Sequence, residues 1–324
     1  MSAARPLVSV VVPVYDLEAY LGEALDSVLA QTMGDLEVIA VDDGSRDGSR
    51  EIIAEYRRRD PERIRAILAG HGGAGAARNR GIAAARGGWV AFLDGDDVWR
   101  PAKLAEQLRE AGRDPECSLV ASEAEDYATG RRLREIPDPI GDLALELLVR
   151  GCFLTLSTVL VRREVVAAVG FDERLEGAQD LDLFLRLADR VRVRVVRRPL
   201  VRYRVRDDSI SGLGSTHFLQ VHRHLQVARC ELERQRRERP EVIGPRLGEI
   251  RAKLRELSHE AAYWALMSDR AGVAQRLRLA VLALASDPLR AKNVRLIAQS
   301  VLPARVNRWL SESRRRGAGT VRGA

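Results

Sequence analysis

The run Trp89-Val90-Ala91-Phe92-Leu93-Asp94-Gly95-Asp96-Asp97 decides how the rest of the chain is interpreted. Its first five residues are apolar and predict a short buried strand. Three carboxylates follow at once, spaced around a glycine. Carboxylates at the end of a buried strand are costly without a positive neighbour, and Mg²⁺ binds one or two carboxylates together with substrate phosphates. The run therefore predicts a metal–diphosphate site, with an ordinary acidic Asp-Gly turn as the alternative.

Apolar strand patterns alternate with helical patterns before this run. Strands are predicted at residues 7–14, 37–41 and 64–68, and helices at 18–31, 48–59 and 76–85. This βαβαβαβ order predicts a doubly wound α/β domain. Ligands of such domains bind beyond the carboxyl ends of the strands. Polar residues fall at those predicted ends: Tyr15, Asp16, Asp42, Asp43, Asp94, Asp96 and Asp97.

The regular alternation fades after the acidic run. Strand candidates remain at residues 117–122 and 154–161, separated by a polar stretch that predicts a loop or hairpin at 127–139. A further helix is predicted over 179–187, with Asp180 at its start. A carboxylate is favoured there by the helix dipole and by the free amides, so a simple N-terminal cap is the structural alternative for Asp180. From residue 216 onward the patterns predict helices only.

Charge divides the chain of 324 residues unevenly. Residues 1–214 have a net charge of about −5 and residues 215–324 about +12, which together give the +7 of the whole chain. We therefore predict an α/β domain at 1–214 and a basic, all-helical extension at 215–324. Such an extension can contact an anionic membrane. A helical hairpin that is packed on the domain and has a solvated basic face explains the charge equally well.

Cysteine usage and the missing targeting patterns indicate a reducing compartment. Cys117, Cys152 and Cys230 are few, odd in number and far apart, so no disulfide framework is expected. The apolar run at 7–14 is too short for a secretory signal, and no stretch reaches the length of a membrane span. We expect a cytoplasmic protein, which could contact the inner face of the membrane peripherally. The glycine-rich run at 70–75 matches neither a dinucleotide fingerprint nor a P-loop.

Read together, five segments resemble the family-2 glycosyltransferases, which have the GT-A fold, a doubly wound, Rossmann-like mixed sheet. The segments are residues 8–15, 41–48, 73–81, 91–97 and 179–187. They occur in the family's order and at its spacing, and the resemblance covers about residues 7–212. The resemblance identifies the family closely but gives little information about the substrate.

The resemblance implies a nucleotide site at the first two strand ends. By that comparison Pro13 and Tyr15 line the nucleoside pocket. Asp43 corresponds to the carboxylate that accepts a hydrogen bond from the base ring, with Asp42 beside it. Arg78 corresponds to an arginine that steadies the nucleotide or its acidic neighbours.

The same resemblance implies the chemical roles. Asp94, Asp96 and Asp97 correspond to the Asp-x-Asp element, with the metal assigned to Asp97 and a sugar–ribose contact to Asp96. Asp180 corresponds to the general base. The family's glutamate before the base is Gln179 here, which removes a charge beside it.

A second departure from the family pattern lies further along the chain. Arg206 stands where a histidine that can help to hold the metal is common. Arginine cannot ligate a metal, and would instead neutralise phosphate directly. Arg206 therefore removes one metal ligand that is common in the family.

The expected activity is inverting transfer of a sugar from a nucleoside-diphosphate sugar to an acceptor hydroxyl, with Mn²⁺ or Mg²⁺ as cofactor. UDP is favoured as the nucleotide, although dTDP presents the same base edge. The acceptor is a saccharide or a lipid-linked molecule, in polysaccharide or glycolipid synthesis. Two alternatives stay open: a non-catalytic scaffold that binds sugar nucleotides, and a metal-dependent nucleotidyltransferase. Nucleic-acid binding is not expected, because no aromatic residues interleave the basic ones.

Overall fold

The protein is described from a computed structural model. The structure describes residues 5–133, 135–137, 139–205, 217–268 and 271–286, together with positions 296, 299, 300, 302 and 307. The chain divides into two compact units, Met1–Arg204 and Val205–Ala324. The boundary between them lies N-terminal to the one predicted after residue 214.

The first half of unit one is a parallel α/β arrangement. Its strands are β1 (Val8–Val14), β2 (Leu36–Asp42), β3 (Ile64–Leu68) and β4 (Trp89–Phe92). Its helices are α1 (Leu21–Leu29), α2 (Ser49–Arg59) and α3 (Gly73–Ala84). The strands pair in the order β3-β2-β1-β4, all parallel. Every residue of β1, β2 and β4 is buried, which is the reason for their nearly continuous apolar sequences.

The second half extends the same sheet in a mixed manner. Its strands are β5 (Val98–Trp99), β6 (Leu119–Asp126), β7 (Val159–Arg162) and β8 (Val193–Tyr203). Its helices are α4 (Lys103–Ala111), α5 (Leu143–Arg150), α6 (Arg163–Val169) and α7 (Gln179–Leu187). The eight-stranded sheet continues β4-β7-β6-β8-β5, and β7 runs antiparallel to both of its neighbours. The predicted fold class, a GT-A-like mixed sheet, is confirmed.

Several predicted elements differ in their bounds. Helix α3 begins at Gly73, inside the glycine run, because Gly73 adopts a φ of +88° that places its amide against Asp43. The strand predicted at 154–161 is a 3₁₀ turn at Leu156–Thr158 followed by β7. In this turn the hydroxyls of Ser157 and Thr158 make hydrogen bonds that compete with strand pairing.

Strand β8 was not predicted, because four of its 11 residues are arginines. Two of these arginines form ion pairs with helix α4. Arg194 pairs with Glu110 of α4 at 2.6 Å, and Arg198 pairs with Glu106 of the same helix. Because these ion pairs are visible only in the fold, the sequence of β8 resembles a basic loop and not a strand.

Close packing of α3 on the sheet depends on Gly81. A Cβ atom at this position would lie 2.3 Å from Cγ1 of Val11 in β1, well inside van der Waals contact. Gly81 therefore lets α3 lie directly on the strand that ends at Tyr15. This contact fixes the position of the helix that also contains Arg78 and Arg80.

One lysine is completely buried beneath the sheet. Lys103, at the start of α4, has no solvent-exposed surface. Its Nζ donates a hydrogen bond to Oε1 of Gln107 at 2.9 Å and lies 3.8 Å from the centroid of the Trp99 ring. Burial lowers the pKa of Lys103 well below its ordinary value. The amine therefore loses its proton at a lower pH in the folded protein than in the unfolded chain.

This burial predicts an unusual pH dependence of stability. Unfolding exposes Lys103, which then takes up a proton at any pH below its ordinary pKa, so the unfolded state binds one more proton than the folded state. Relative to Lys103→Met, the free energy of unfolding of the parent should rise with pH, by up to about 1.4 kcal/mol per unit, between the lowered pKa of the folded state and the ordinary lysine pKa of about 10.4. Urea unfolding of both proteins at a series of pH values below about 10 measures the difference. A difference that stays constant would contradict a lowered pKa of Lys103.

The described part of unit two is helical. It comprises α8 (His217–Glu238), the short α9 (Pro240–Ile243), α10 (Leu247–Met267) and α11 (Val273–Ser286). Its core consists largely of alanines from α10 and α11, which let the helices approach closely. None of the described helices combines the length and the apolarity that crossing a membrane requires.

Candidate active site

Three neighbouring strands bring the predicted polar residues to one edge of the sheet. β2, β1 and β4 are adjacent and parallel, so their carboxyl ends meet. Tyr15 follows β1, Asp43 follows β2, and the acidic turn Asp94–Asp97 follows β4. Pro13 lies within β1, opposite Val41, and is buried. This edge is where a doubly wound sheet binds its ligands.

Asp42 shapes the turn after β2. Its carboxylate accepts hydrogen bonds from the backbone amides of Ser45 at 3.1 Å and Gly44 at 3.2 Å, and from Nε of Arg50 at 2.7 Å. Burial raises its pKa, but the bonds from Ser45 and Arg50 outweigh burial, and the net shift is downward. Asp42 thus holds the turn rather than facing the open edge of the sheet.

Asp43 is fixed by the glycine run and the start of α3. Its two carboxylate oxygens accept the amides of Gly72 at 2.9 Å and Gly73 at 2.8 Å. Nδ1 of His71 lies 3.0 Å from Oδ2, and the Arg80 guanidinium lies 3.3 Å from Oδ1. A carboxylate at a helix N-terminus is a favourable arrangement. Asp43 is therefore a buried, rigid carboxylate at the carboxyl end of β2, and both of its oxygens already accept hydrogen bonds.

An aromatic pair flanks Asp43. The rings of Tyr15 and His71 lie 4.4 Å apart between centroids, inclined by 34°. Asp16, directly after Tyr15, has a φ of +50°. Backbone strain of this kind in a residue other than glycine is concentrated at functional sites. The Tyr15 ring therefore lies against His71, whose Nδ1 contacts the carboxylate of Asp43.

The acidic turn is folded back on itself and anchored by Ser157. The amide of Asp97 donates to the Asp94 carbonyl at 2.9 Å. The Ser157 hydroxyl donates to Oδ2 of Asp97 at 2.6 Å and accepts from the Asp94 amide at 3.1 Å. The other oxygen of Asp97 accepts from the backbone amide of Arg204 at 2.9 Å. Asp97 is buried, whereas Asp94 and Asp96 are partly exposed.

The turn concentrates negative charge. Burial, followed by the charges of Asp94 and Asp96, raises the pKa of Asp97 well above its ordinary value. A cation beside the turn would reduce the repulsion among the three carboxylates. The partly exposed carboxylates of Asp94 and Asp96 suit a hard divalent ion that also binds phosphate. Among the described residues no group of three or more His, Cys, Asp and Glu side chains is arranged to hold a metal by itself.

Arg78 joins the acidic turn to the segment that contains Asp180. One guanidinium nitrogen donates to Asp94 at 2.7 Å and another donates to Oε1 of Gln179 at 3.1 Å. The guanidinium carbon lies 5.4 Å from the centroid of the Phe171 ring. Nε of Arg78 is buried and has no hydrogen-bond partner within the part of the chain that the structure describes. Arg78 thus links α3, the turn after β4 and the start of α7.

Asp180 lies in the first turn of α7. Its Oδ1 accepts from the amide of Leu181 at 2.9 Å, and Sγ of Cys152 lies 3.6 Å from its Oδ2. The helix is preceded by Ala178 at a φ of +57°. Ala178 and Asp16 are the two residues other than glycine with positive φ in the described chain, and both adjoin predicted site residues. The backbone before Asp180 is held in a costly conformation.

Four contacts were not foreseen from the sequence, namely those of Ser157, Arg204, Cys152 and His71. Ser157, Arg204 and Cys152 approach the site from segments that are distant in the chain and that no local pattern marks, whereas His71 lies in the glycine-rich run at 70–75. Arg206, which the sequence predicts to contact phosphate, lies outside the described residues.

The protein's similarity to known proteins agrees with this geometry. The family model for glycosyl transferase family 2 matches residues 9–170, half of the chain. An uncharacterized glycosyltransferase, alr2836 of Nostoc sp. (strain PCC 7120), is 38% identical over 170 residues, 50% of this chain and 52% of that protein. The chain therefore spans about half the length of that relative. The putative teichuronic acid biosynthesis glycosyltransferase TuaG of Bacillus subtilis is 35% identical over 58% of this chain and 74% of its own.

Two solved structures share the fold. Mannosyltransferase PcManGT from Pyrobaculum calidifontis, in complex with GDP-Man and Mn²⁺, has a TM-score of 0.58 at 20% identity, covering 95% of this chain and 88% of that one. S. aureus TarS 1-349, in complex with UDP-GlcNAc, has a TM-score of 0.53 at 19% identity, covering 96% and 92%. Because the family model matches half of the chain, the chain belongs to glycosyl transferase family 2.

Proposed function

We propose that the protein is an inverting glycosyltransferase that moves a sugar from a nucleoside-diphosphate sugar to an acceptor hydroxyl. The observation that supports this most is the bridge made by Arg78. It binds Asp94 at 2.7 Å and Gln179 at 3.1 Å, and so ties the acidic turn to the residue beside Asp180. A leaving-group site and a base held in one network are what a single displacement requires.

The nucleoside is proposed to bind at the ends of β1 and β2. Tyr15 offers a ring face, Pro13 precedes it in β1, and Asp43 would accept a ring N–H in place of His71 or Arg80, with Asp42 maintaining the turn beside it. A uracil-type base has such an N–H, so UDP is favoured and dTDP is equivalent at that edge. The TarS neighbour was solved with UDP-GlcNAc, which agrees with a UDP-sugar.

The diphosphate and a divalent cation, Mn²⁺ or Mg²⁺, are proposed to lie at the acidic turn. The partial exposure of Asp96 and the burial of Asp97 support an exchange of the roles expected from the sequence. Asp96, with Asp94 beside it, would hold the cation, and Asp97 would fix the turn through Ser157. When bound, the cation would act as a Lewis acid that stabilises the leaving diphosphate. The PcManGT neighbour was solved with Mn²⁺.

Asp180 is proposed as the general base. Its carboxylate accepts the proton of the acceptor hydroxyl as that oxygen attacks the anomeric carbon. The bond from the anomeric carbon to the diphosphate oxygen breaks in the same displacement, and the configuration inverts. Oδ1 of Asp180 is held by the Leu181 amide, which orients the carboxylate.

The acceptor is proposed to be a saccharide or a lipid-linked molecule, used in polysaccharide or glycolipid synthesis. The support comes from the name of TuaG, a relative assigned to teichuronic acid biosynthesis. We further propose that residues 1–214 provide the transfer chemistry and residues 215–324 an accessory function.

The accessory function is proposed to be peripheral contact with an anionic membrane. Helix α11 exposes Val273, Leu277 and Val281, at 47%, 38% and 48%, spaced by four residues along one face. The net charge of about +12 in residues 215–324 complements anionic lipid. The alternative, a solvated basic face, predicts no binding.

Vesicle pelleting distinguishes contact with an anionic membrane from a solvated basic face. We expect the full-length protein to pellet with phosphatidylglycerol vesicles and not with phosphatidylcholine vesicles, and to be released as salt rises from about 0.05 to 0.5 M. At low salt, replacing Leu277 and Val281 by serine should weaken pelleting with phosphatidylglycerol vesicles relative to the parent protein. Binding that ignores both lipid charge and salt would contradict the electrostatic contact.

The donor assignment is tested by thermal unfolding with a panel of UDP-, dTDP- and GDP-sugars in Mn²⁺. A ligand present at 100 times its dissociation constant should stabilise the protein by about 2.7 kcal/mol. One nucleotide series should raise the melting temperature by about 5–10 °C, and the shift should disappear in Asp43→Asn. If no sugar nucleotide raises it, the proposed donor class is wrong.

A further inference from the structure

Arg204 holds the acidic turn at two points. Its backbone amide donates to Oδ1 of Asp97 at 2.9 Å, and its Nε donates to the carbonyl of Asp96 at 3.0 Å. Arg204 follows the last residue of β8, on a strand that is not adjacent to β4 in the sheet. A residue distant in the chain thus fixes the peptide that joins Asp96 to Asp97.

The guanidinium of Arg204 is itself held in one orientation. It pairs with Glu23 of α1 at 2.7 Å, and its central carbon lies 3.7 Å from the Tyr127 ring centroid and 5.0 Å from that of Tyr20. The Tyr127 hydroxyl also donates to Glu23, at 2.7 Å. Only 18% of the Arg204 side chain is exposed. The planar group is therefore enclosed by two rings and a carboxylate.

We propose that Arg204 is a positioning residue of the donor site. It sets the orientation of the Asp96–Asp97 peptide, and with it the direction in which the Asp96 carboxylate meets a cation and a diphosphate. This inference rests on the proposed function, because it assumes that the acidic turn binds a donor. A planar guanidinium can bind the Asp96 carbonyl and Glu23 at once while it stacks on Tyr127. Lysine, with one nitrogen on a flexible stem, cannot make these contacts together.

The neighbouring Arg202 provides a matched control. It stands two residues earlier on β8, stacks on the same Tyr127 ring at 4.0 Å, and donates to the Tyr127 carbonyl at 3.1 Å. Its described hydrogen bonds do not include one to the acidic turn. Loss of either arginine removes a stacked cation from Tyr127, but only loss of Arg204 frees the Asp96–Asp97 peptide.

The experiment measures nucleoside-diphosphate affinity by calorimetry, in Mn²⁺ and in EDTA, for the parent, Arg204→Ala, Arg204→Lys and Arg202→Ala. UDP, dTDP or GDP is used, whichever series stabilises the parent most. We expect Arg204→Ala to lose at least about tenfold in affinity in Mn²⁺, and Arg204→Lys to recover part of it. Affinity in EDTA should change by less than about twofold, and Arg202→Ala should match the parent within about twofold in both media.

The outcomes separate this inference from the function on which it rests. Unchanged Mn²⁺-dependent affinity in Arg204→Ala, or an equal loss in Arg202→Ala, overturns the positioning role and leaves the donor site standing. Equal losses of affinity in Mn²⁺ and in EDTA also overturn the positioning role, because a general structural defect would lower the affinity whether or not the metal is present. A parent protein with no Mn²⁺-dependent affinity overturns the donor site itself. Melting temperatures above the assay temperature for all variants exclude unfolding as the cause.

Discussion

Replacing Asp180 by asparagine is expected to lower the rate of sugar transfer by a factor of about 10²–10⁴, equivalent to about 3–5 kcal/mol of activation free energy. Asparagine keeps the shape of the side chain and can still accept from the Leu181 amide, but it cannot take up a proton. Donor affinity should change by less than about twofold, because the diphosphate is proposed to bind at the acidic turn. Rate and donor affinity are measured on the same preparation.

Asp182 is the matched control for this substitution. It lies on the same first turn of α7, and its carboxylate pairs with Arg186 at 2.5 Å instead of facing Cys152. Asp182→Asn should leave the transfer rate within about threefold of the parent. A loss below about tenfold in Asp180→Asn, or a collapse of donor affinity together with the rate, would assign Asp180 a structural or donor-binding role.

Replacing Asp96 by asparagine is expected to abolish most of the metal-dependent part of nucleotide affinity, at least about tenfold, or about 1.4 kcal/mol. Asp96 is the partly exposed carboxylate that the cation is proposed to contact. Asparagine is uncharged and is a weaker ligand for a hard cation. Affinity measured in EDTA should stay unchanged, because the nucleoside is held at the ends of β1 and β2.

Asp97→Asn distinguishes a cation ligand from a structural acid. Its amide can still donate to Ser157 and accept from the Arg204 amide, so the turn should survive. Calorimetric titration in Mn²⁺ should show a smaller loss for Asp97→Asn than for Asp96→Asn. The reverse order would restore the assignment expected from the sequence alone, with Asp97 as the cation ligand.

The first half of the fold could be predicted from the sequence because its strands are buried on both faces. β1, β2 and β4 are continuous apolar runs, and each is followed by the polar residues that mark the site. The second half could not be predicted in the same way. β8 mixes apolar residues with arginines, two of which pair with glutamates of α4, and α5 was missed altogether.

The residues that support the site could not be predicted from sequence patterns, for a related reason. The Ser157 hydroxyl meets Asp97 across 60 positions of the chain, and the Arg204 amide meets it across 107. The contact of Ser157 follows from the pairing of β4 with β7, and that of Arg204 from the antiparallel pairing of β5 with β8; local periodicity shows neither. The bridge from Arg78 to Gln179 spans 101 positions, so the consequence of a glutamine before Asp180 becomes visible only in the fold.

Release of nucleoside diphosphate from the stabilising nucleotide sugar, in the presence of saccharide and lipid-linked acceptors, tests the central claim most directly. The parent should release the diphosphate together with a glycosylated product whose anomeric configuration, read by NMR, is opposite to that of the donor. Asp180→Asn should bind the same donor and release almost none. Donor binding without any release would indicate a scaffold, and release of pyrophosphate from a nucleoside triphosphate and a sugar phosphate would indicate a nucleotidyltransferase. Either result would contradict the transfer reaction.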